Sequence, residues 1–574
     1  MSSTLSATSI PALERMAEPK SSRFQAWFQW FMQPAVLIRI VLYATTLIYL
    51  RSVLFDYVYD DSALITLNPW MESWKQVPEL FTHSFWGFLD VPRAIDFYRP
   101  LVSLVFMTIL HLLGPAPGWF HLVAAGLHIA ATYLVYRLAC ETTENKIVAA
   151  IAAGFFGLHP TKVETAAWIS GISDSLSVVF FLGSIISYFK ARKNVEHRLK
   201  YQWTSNVLLL LALFSKEAAV FAPVLIAIYE FSSTNSRFRD RCVASLRAAL
   251  PFLTVTTLAL LARKALIHNE LDLGLLQKIP LKATVLTAPK AILWYLLKQL
   301  WPGELSVQYP IMLVRTFSFR QFVLPLVLTL AVTTAIVWAV RKRPTGIFFA
   351  SWFVLMLAPV IVYFITLQEH DRYSYLPSVA SSIGIAYLLE RLRVFSAKVH
   401  AAVILIVFAV MSVLTVTYES YWDNDIKLFE RAVRIAPDNW NAQNYLAGAY
   451  VVFGQREKAE AFARSVINRD RGPNSWYLLG DVFLAECKYE EAREAIQTGY
   501  NLEREHHLVA NLALANVDLR LGRNEEAVQI YQEQLKRFPN RAFLHGHLAT
   551  ALKAMGRSEE AQRELAIQKS LNKH

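Results

Sequence analysis

Two adjacent carboxylates, Asp60 and Asp61, are the residues of this chain best suited to chemistry. They follow an apolar stretch from Pro34 to Phe55, which is long enough to cross a membrane core of about 30 Å. Charged groups beside lipid are costly unless they face water or a substrate, so a pair here indicates a function. We therefore interpret the pair as the reacting centre of a membrane enzyme whose other segments position the substrates.

The composition predicts a membrane part followed by a polar part. Of the 574 residues, 55% are hydrophobic and 18% are charged, and the mean hydropathy is +0.32. Ordinary soluble domains do not have this balance. From about Asp423 the chain turns polar and lacks long apolar runs. We predict a cytoplasmic segment over residues 1–33, a multi-span membrane domain over 34–420 with a first outer loop over 56–99, and a repeat domain over 421–574.

The charges and the cysteines exclude several other classes. The net charge is +12, but Lys and Arg collect at the ends of apolar runs, which indicates membrane orientation and not nucleic-acid binding. Cys140, Cys242 and Cys487 are scattered, which argues against a disulfide framework or a zinc site. We therefore predict no metal site.

The basic loops predict which side of the membrane each segment faces. The cluster from Lys190 to Lys200 marks the cytoplasmic side, and basic residues within 237–247, 341–343 and 391–393 agree with it. The acid pair and the C-terminal repeats then lie on the outer side. We expect about 11 to 13 helical spans, and one apolar run between 101 and 158 must be a half-span or a broken helix. The other polar candidates on the outer side are His159, Glu164, Lys216, Glu217, Glu369 and Arg372.

The C-terminal part repeats with a period near 34 residues. Gly454, Gly522 and Gly556 are separated by 68 and 34 residues, and small residues such as Ala459 recur at matching positions. This pattern resembles the tetratricopeptide repeat, and we predict about four units after a partial one that ends at Pro437. A helical solenoid has a concave face that binds peptides or proteins, so we expect a polypeptide partner. A structural spacer or a dimerisation module is the alternative.

Seven motifs also occur in the order of a known family. They are Asp60-Asp61, Tyr98-Arg99-Pro100-Leu101, Phe120-His121, Leu158-His159-Pro160 with Glu164, Gly171 to Asp174, Ser215-Lys216-Glu217 and Arg372-Tyr373-Ser374-Tyr375-Leu376-Pro377. In this order, the chain resembles the transmembrane and tetratricopeptide repeat containing (TMTC-like) O-mannosyltransferases and their bacterial relatives over nearly its whole length.

The resemblance implies a fold and a reaction. The fold is an all-α, polytopic membrane helix bundle of the GT-C type followed by a tetratricopeptide-repeat α-solenoid. The reaction is transfer of a sugar, mannose in the animal members, from a polyprenyl or dolichyl phosphate to a protein hydroxyl on the far side of the membrane. The expected partners are the lipid-linked sugar and a protein acceptor. We expect no cofactor besides this donor substrate.

Four residues are candidates for the chemistry that such a transfer needs. Asp60 or Asp61 is the candidate base, because a carboxylate within hydrogen-bond reach accepts the proton of a hydroxyl as the new bond forms. The departing lipid phosphate needs a fixed cation, for which Arg372 is the first candidate and Lys216 the second. Alternatively, Lys216 snorkels to the interface with Glu217 as its partner.

Six further residues are candidates for substrate binding, and most have a structural alternative. For Glu164 and His159, the alternative to substrate binding is a helix-capping role. For Asp174 it is a structural hydrogen bond inside the bundle, and for Arg99 it is neutralisation of the acid pair. The six are Arg99, His159, Glu164, Asp174, Glu217 and Glu369.

Two other functions compete with the enzyme. A lipid-linked sugar transporter or flippase predicts charges near mid-span and a twofold internal repeat, and we find no such repeat. A non-catalytic scaffold that assembles envelope proteins through the repeats is the other alternative. No Asn-x-Ser/Thr acceptor occurs in the chain, which favours a bacterial inner membrane with periplasmic repeats over an endoplasmic reticulum membrane with lumenal repeats.

Overall fold

The computed structural model describes residues 30–89, 97–267, 280–310, 313–359, 369–394, 396–502 and 508–571. Within these ranges every regular element is a helix, which confirms the predicted all-α class. Most of the predicted cytoplasmic segment (residues 1–29) and part of the predicted first outer loop (residues 90–96) lie outside the described residues.

We number the helices of eleven residues or more in chain order. The membrane part has α1 (Pro34–Tyr49), α2 (Pro100–Leu113), α3 (Pro117–Thr143), α4 (Lys146–Gly157), α5 (Ile172–Lys193), α6 (Arg198–Ser215), α7 (Ala222–Ser233), α8 (Phe238–Leu266), α9 (Leu281–Leu300), α10 (Leu324–Val340), α11 (Pro344–Pro359), α12 (Ser378–Arg391) and α13 (Ala397–Glu419). The polar part has α14 (Asp425–Ile435), α15 (Trp440–Val452), α16 (Arg456–Arg469), α17 (Pro473–Ala485), α18 (Tyr489–Leu502), α19 (Leu508–Arg520), α20 (Asn524–Arg537), α21 (Ala542–Ala554) and α22 (Ser558–Leu571).

Six helices of the described chain are long and apolar enough to cross a membrane, namely α1, α3, α5, α8, α10 and α13, where α1, α5, α10 and α13 are counted with short helical extensions. Helices α2, α4 and α11 are apolar but shorter. Helix α4 has 12 residues and is therefore about 18 Å long, well short of a membrane core of about 30 Å. Helix α2 has 14 residues and is about 21 Å long, so two of the three helices of this stretch are shorter than a span. The half-span between residues 101 and 158 and the total number of spans stay predictions.

The centre of the bundle is formed by α4 and α5. Every residue of α4 from Val148 to Gly157 is buried. The most apolar stretch of α5 is 83% buried, against 11% for α10, which lies at the periphery. Phe408 of α13 packs directly on Gly154, where an added Cβ would lie 2.1 Å from the ring. Only glycine allows this approach.

The polar candidates and the basic loops lie at opposite ends of the bundle. At one end, Lys193 of α5 contacts Glu141 of α3, with an Nζ–Oε2 distance of 3.2 Å. At the other end, Ser170 just before α5 contacts Asp61 just after α1. This separation agrees with the predicted grouping, while the side of the membrane on which each end lies stays a prediction.

The polar part is a solenoid of four antiparallel hairpins, α15 to α22, preceded by the single helix α14. Gly454, Gly522 and Gly556 have φ angles of 72°, 74° and 75° at the turns of three hairpins. In the remaining hairpin, Cys487 has a φ angle of 60° at the matching place, which explains the missing glycine in the repeat pattern. The predicted small residues at the helix contacts are buried, namely Ala459, Ala492, Ala527 and Ala561.

Helix α14 connects the solenoid to the membrane part. Asp425 Oδ1 accepts a hydrogen bond from the backbone N–H of Tyr59 at 2.7 Å. Nε of Arg431 donates to the carbonyl oxygen of Leu305 at 2.8 Å. The repeats are therefore docked on the end of the bundle that carries the acid pair.

Candidate active site

Asp61 is a buried anchor. It begins a short helix, Asp61–Ile65, and has no exposed surface. Its Oδ1 accepts hydrogen bonds from the backbone N–H and the hydroxyl of Ser170 at 2.9 and 2.5 Å, and its Oδ2 accepts from the N–H of Val58 at 3.2 Å. Burial raises the pKa of Asp61 to about 8, although the bonds from Ser170 oppose this rise. Oδ1 therefore holds the loop to the start of α5, and Oδ2 closes the turn within the loop itself.

Asp60 has different surroundings because of Tyr59. The φ angle of Tyr59 is 60°, a left-handed conformation that a residue with a bulky side chain rarely adopts. Its N–H donates to Asp425 of α14, and its ring lies edge to face with Tyr445 at a centroid distance of 4.9 Å. Asp60 is half-buried, whereas Asp61 is fully buried. Asp60 is therefore the accessible member of the pair.

A fully buried segment between α4 and α5 carries the residues that organise the site. His159, Glu164, Trp168 and Ser170 all belong to it. It runs through two short turns and one short helix, Pro160–Lys162, Val163–Ala167 and Ile169–Gly171.

Glu164 fixes Arg372. Its Oε1 pairs with Nη1 of the guanidinium, and its Oε2 accepts from the backbone N–H of Arg372 at 3.0 Å. His370 lies beside the same carboxylate, with an Nδ1–Oε1 distance of 3.4 Å. Burial alone would raise the pKa of Glu164, but Arg372 and His370 lower it to about 2. A guanidinium has five N–H donors, so Arg372 has donors beyond those directed at Glu164.

Trp168 links Arg372 to the acid pair. The guanidinium carbon of Arg372 lies 5.0 Å from the centroid of the Trp168 ring. The ring of Tyr59 lies 5.5 Å from the same indole, centroid to centroid, and Asp60 is the next residue in the chain. The structure therefore brings Arg372 and the acid pair to one site.

Lys216 forms a second ion pair beside Arg372. Its Nζ lies 2.6 Å from Oδ1 of Asp174, and the two side chains are only 11% and 9% exposed. The same Nζ lies 5.8 Å from the ring centroid of Tyr373, the residue after Arg372. Burial lowers the pKa of Lys216, and Asp174 opposes this shift. The ion-pair partner of Lys216 is Asp174, so the predicted pairing with Glu217 is wrong.

Glu217 instead pairs with Arg99. The Nη2–Oε1 and Nε–Oε2 distances are 2.9 and 3.4 Å, so the guanidinium meets the carboxylate through two nitrogens. Arg99 also lies over the ring of Phe97 at 4.3 Å. The alternative role that we considered for Arg99 from the sequence is neutralisation of the acid pair. In the structure, Arg99 contacts the carboxylate of Glu217 instead.

Tyr373 lies among these ion pairs. Burial raises its pKa to about 12, and the charges that act on it include Arg372, Glu164, Asp174 and Arg99. We did not single out Tyr373 from the sequence. The sequence feature that could have indicated Tyr373 is its place in the motif that begins at Arg372.

Two predicted candidates lie apart from this cluster. The ring of His159 contacts the hydroxyl of Thr161 at 2.8 Å and the carbonyl oxygen of Gln299 at 3.2 Å. It accepts from the N–H of Thr161 at the start of the first turn, which supports the capping alternative. Glu369 is buried, which raises its pKa to about 7, and the cation that opposes this shift is Lys290.

Tyr309 and Asp371 were also missed. The hydroxyl of Tyr309 donates to Oδ1 of Asp371 at 2.8 Å, and burial raises the pKa of Asp371 to about 7. This bond ties the loop after α9 to the residue just before Arg372. The two residues are 62 positions apart, so no local spacing could reveal the contact.

The described residues define a polytopic α-helical membrane protein with a buried site of acids and cations at one end and a repeat solenoid docked beside it. Within these residues, no group of three or more His, Cys, Asp or Glu side chains is arranged to hold a metal ion. No protein-family model matches the chain.

The chain is similar to curated protein O-mannosyl-transferases. It is 29% identical over 195 residues to Tmtc1 of Drosophila melanogaster, which is 33% of this chain and 22% of that protein. It is 33% identical over 161 residues to human TMTC1, which is 27% of this chain and 18% of that protein. The matches therefore span about a fifth of the relatives' length. They confirm the resemblance to this family over about a third of the chain, and its extension over nearly the whole length stays a prediction.

Three solved structures have a distant likeness to the chain. ArnT from Cupriavidus metallidurans, bound to undecaprenyl phosphate, is 13% identical and has a TM-score of 0.38, with 86% of this chain and 79% of ArnT covered. The Archaeoglobus fulgidus oligosaccharyltransferase is 13% identical with a TM-score of 0.39, covering 75% and 59%. MamA is 17% identical with a TM-score of 0.23, covering 26% and 86%.

Proposed function

We propose that this protein is a membrane glycosyltransferase that moves a hexose, in the first instance mannose, from a polyprenyl or dolichyl phosphate to a hydroxyl of a protein. One observation carries the proposal: Asp61, the residue after Asp60, and Arg372 are anchored on the same buried segment, through Ser170 and Glu164. The names of the relatives, protein O-mannosyl-transferases, support the sugar and the acceptor class.

Asp60 is the base in this proposal. A Ser or Thr hydroxyl is a weak nucleophile, and a carboxylate within reach accepts its proton as the bond between its oxygen and the sugar carbon forms. Asp60 is half-buried, so an incoming hydroxyl can reach it, whereas Asp61 has no exposed surface. Asp61 then acts by positioning, because it holds the loop that presents Asp60.

Arg372 binds the leaving group. When the bond between the sugar carbon and the phosphate oxygen breaks, negative charge grows on the phosphate, and fixed donors in a poorly hydrated site stabilise it. Glu164 holds one end of Arg372, and further guanidinium N–H donors are left for a phosphate oxygen. Lys216, beside Tyr373, adds a second positive charge. The scheme uses no cofactor besides the donor.

The repeats bind the acceptor in this proposal. Their first helix, α14, contacts Tyr59 directly, so a polypeptide held by the solenoid would lie near Asp60. The orientation predicted from the basic loops places the site on the periplasmic or lumenal side. A bacterial inner membrane remains our preferred location.

Transfer by the purified full-length protein tests the proposal. With dolichyl-phosphate mannose as donor and a Thr-containing peptide as acceptor, Asp60→Asn should lower the rate about 10²- to 10⁴-fold, because the base is lost but the shape is kept. Glu494→Gln is the matched control, since Glu494 is an exposed acid on α18. Normal transfer by Asp60→Asn would remove Asp60 as the base. No transfer of mannose or another hexose by the wild type would favour the scaffold.

A further inference from the structure

A cavity of about 410 Å³ lies between the first repeats and the membrane part. Tyr59 forms its wall on the membrane side, and residues of α14, α15 and α17 form the rest. Tyr445 and Val452 on its rim are 38% and 81% exposed, so the cavity opens to solvent. It begins where the candidate base is: Asp60 follows Tyr59, and neighbouring Cα atoms are about 3.8 Å apart.

Aromatic rings and acids give this cavity its chemistry. Phe429 and Tyr445 are stacked with a centroid distance of 4.9 Å, and Tyr59 meets Tyr445 edge to face at the same distance. Asp425 and Asp481 are also part of the lining, and none of the described lining residues is Lys, Arg or His. Aromatic faces attract cations, and carboxylates do so more strongly. The lining therefore suits a positively charged group and disfavours an anionic one.

The cavity also has room for a peptide backbone. Gly448 lies on the lining, and an added Cβ there would have no atom within 4 Å. Asn444 on the same helix has an amide with two donors and an acceptor, which can pair with a peptide group. An occupant with a backbone and a basic side chain fits these features together.

We propose that this cavity binds a Lys or Arg side chain of the acceptor polypeptide, a few residues away from the hydroxyl that receives the sugar. The proposal rests on the proposed function, because Tyr59, which forms the wall of the cavity on the membrane side, is the residue before the candidate base Asp60. The carboxylate of Asp481 is the main partner of the basic group. Asp425 adds charge and keeps Tyr59 in place through its hydrogen bond.

Peptide binding to the full-length protein in nanodiscs tests the proposal. The probe is a fluorescent peptide of about 12 residues, roughly 40 Å when extended, with one Thr and one Lys. Matched peptides have norleucine or Glu in place of the Lys. By fluorescence anisotropy, the Lys peptide should bind about fivefold more tightly than the norleucine peptide, from a cation–aromatic contact and an ion pair. The Glu peptide should bind most weakly.

Three variants separate the possible results. Asp481→Asn should remove most of the preference for the Lys peptide over the norleucine peptide, while Glu494→Gln should keep it. Asp60→Asn should keep this preference and lose transfer. Equal binding of the three peptides to the wild type, or a preference for Lys that Asp481→Asn leaves undiminished, would overturn the cation subsite. A preference that depends on Asp481, without transfer of any hexose, would overturn the proposed reaction and leave the subsite standing.

Discussion

The Glu164–Arg372 and Asp174–Lys216 ion pairs of the membrane part are buried, whereas most ion pairs of the repeats have a well-exposed member. Glu164 has no exposed surface and its partner Arg372 is 13% exposed. In the first hairpin of the repeats, Arg464 and Glu460 pair at 2.8 Å with side chains 57% and 26% exposed. The same type of contact therefore occurs in two very different dielectric surroundings within one chain.

Exposed and buried ion pairs make different contributions to the stability of the fold. A surface pair contributes about 0.2–1 kcal/mol, because water solvates its members almost as well. A buried pair gains little over apolar packing, yet removing one member costs about 3–5 kcal/mol, because the other charge is left without compensation. The buried pairs around Tyr373 therefore add little stability compared with apolar packing. Their presence fits a site that needs cations in fixed positions. Substitutions at four positions test this contrast and the site that depends on it.

Loss of Arg372 should have the largest effect on transfer. Arg372→Gln is expected to lower the rate about 10²- to 10³-fold, since a donor for the developing phosphate charge is lost. Arg372→Lys keeps a cation for Glu164 but not the two-pronged geometry, and should also be impaired. Lys282→Gln, an exposed site on α9, is the control. Transfer by purified protein measures the effect, and normal transfer by Arg372→Gln, or an equal loss in Lys282→Gln, would contradict the assignment.

Glu164→Gln should destabilise the protein by about 3 kcal/mol, because Arg372 loses its buried partner. The wild-type carboxylate has a pKa of about 2 in the folded state, below its ordinary value of 4.5. The stability that it contributes is therefore present above about pH 4.5 and is lost as the pH falls towards 2.

Thermal unfolding at several pH values measures both effects of Glu164→Gln. The variant should have a lower apparent Tm than the wild type at pH 7, and the gap should narrow below pH 4.5. A gap that is constant with pH would mean that the ionised carboxylate does not stabilise the fold.

Asp425→Ala should slow transfer about tenfold, because Tyr59 loses the acceptor that holds its left-handed turn and Asp60 moves out of position. Asp425→Asn keeps an oxygen for the Tyr59 N–H and should recover most of the rate. The peptide without Lys is used here, so that the cation subsite does not contribute. We expect the loss in kcat, with KM for the donor unchanged; a loss confined to KM would refute the positioning role.

Arg464→Ala should have the smallest effect. The free energy of unfolding is expected to change by less than about 0.5 kcal/mol, because the pair is solvated. The apparent Tm of the full-length protein checks this. A loss comparable with that of Glu164→Gln would break the contrast between the two regions.

Several parts of the architecture could be predicted from local patterns. Apolar run lengths and basic loops grouped Asp61, Glu164, Lys216 and Arg372 at one end of the bundle, and the structure has them there. The repeat period predicted the hairpins, because their turns and small contact residues recur at fixed spacing. In the one described hairpin without a turn glycine, Cys487 adopts the same left-handed conformation at that position.

The pairing of the charges could not be predicted in the same way. Lys216 is next to Glu217 in the chain but contacts Asp174, 42 positions away. Arg372 contacts Glu164 across 208 positions, and Arg99 contacts Glu217 across 118. Adjacent side chains in a chain often point apart, and the approach of distant helices decides which charges meet.

The chain by itself specifies that it crosses the membrane, that it ends in helical repeats and that acids and cations gather at one end, because hydropathy and periodicity are properties of short stretches. The tertiary structure decides that Asp60 keeps exposed surface while Asp61 is fully buried. That distinction depends on a hydrogen bond from Tyr59 to Asp425, 366 positions apart, and on the burial of Asp61 against Ser170. The docking of α14 on the membrane bundle brings the first pair together, and the packing of the bundle itself brings the second pair together.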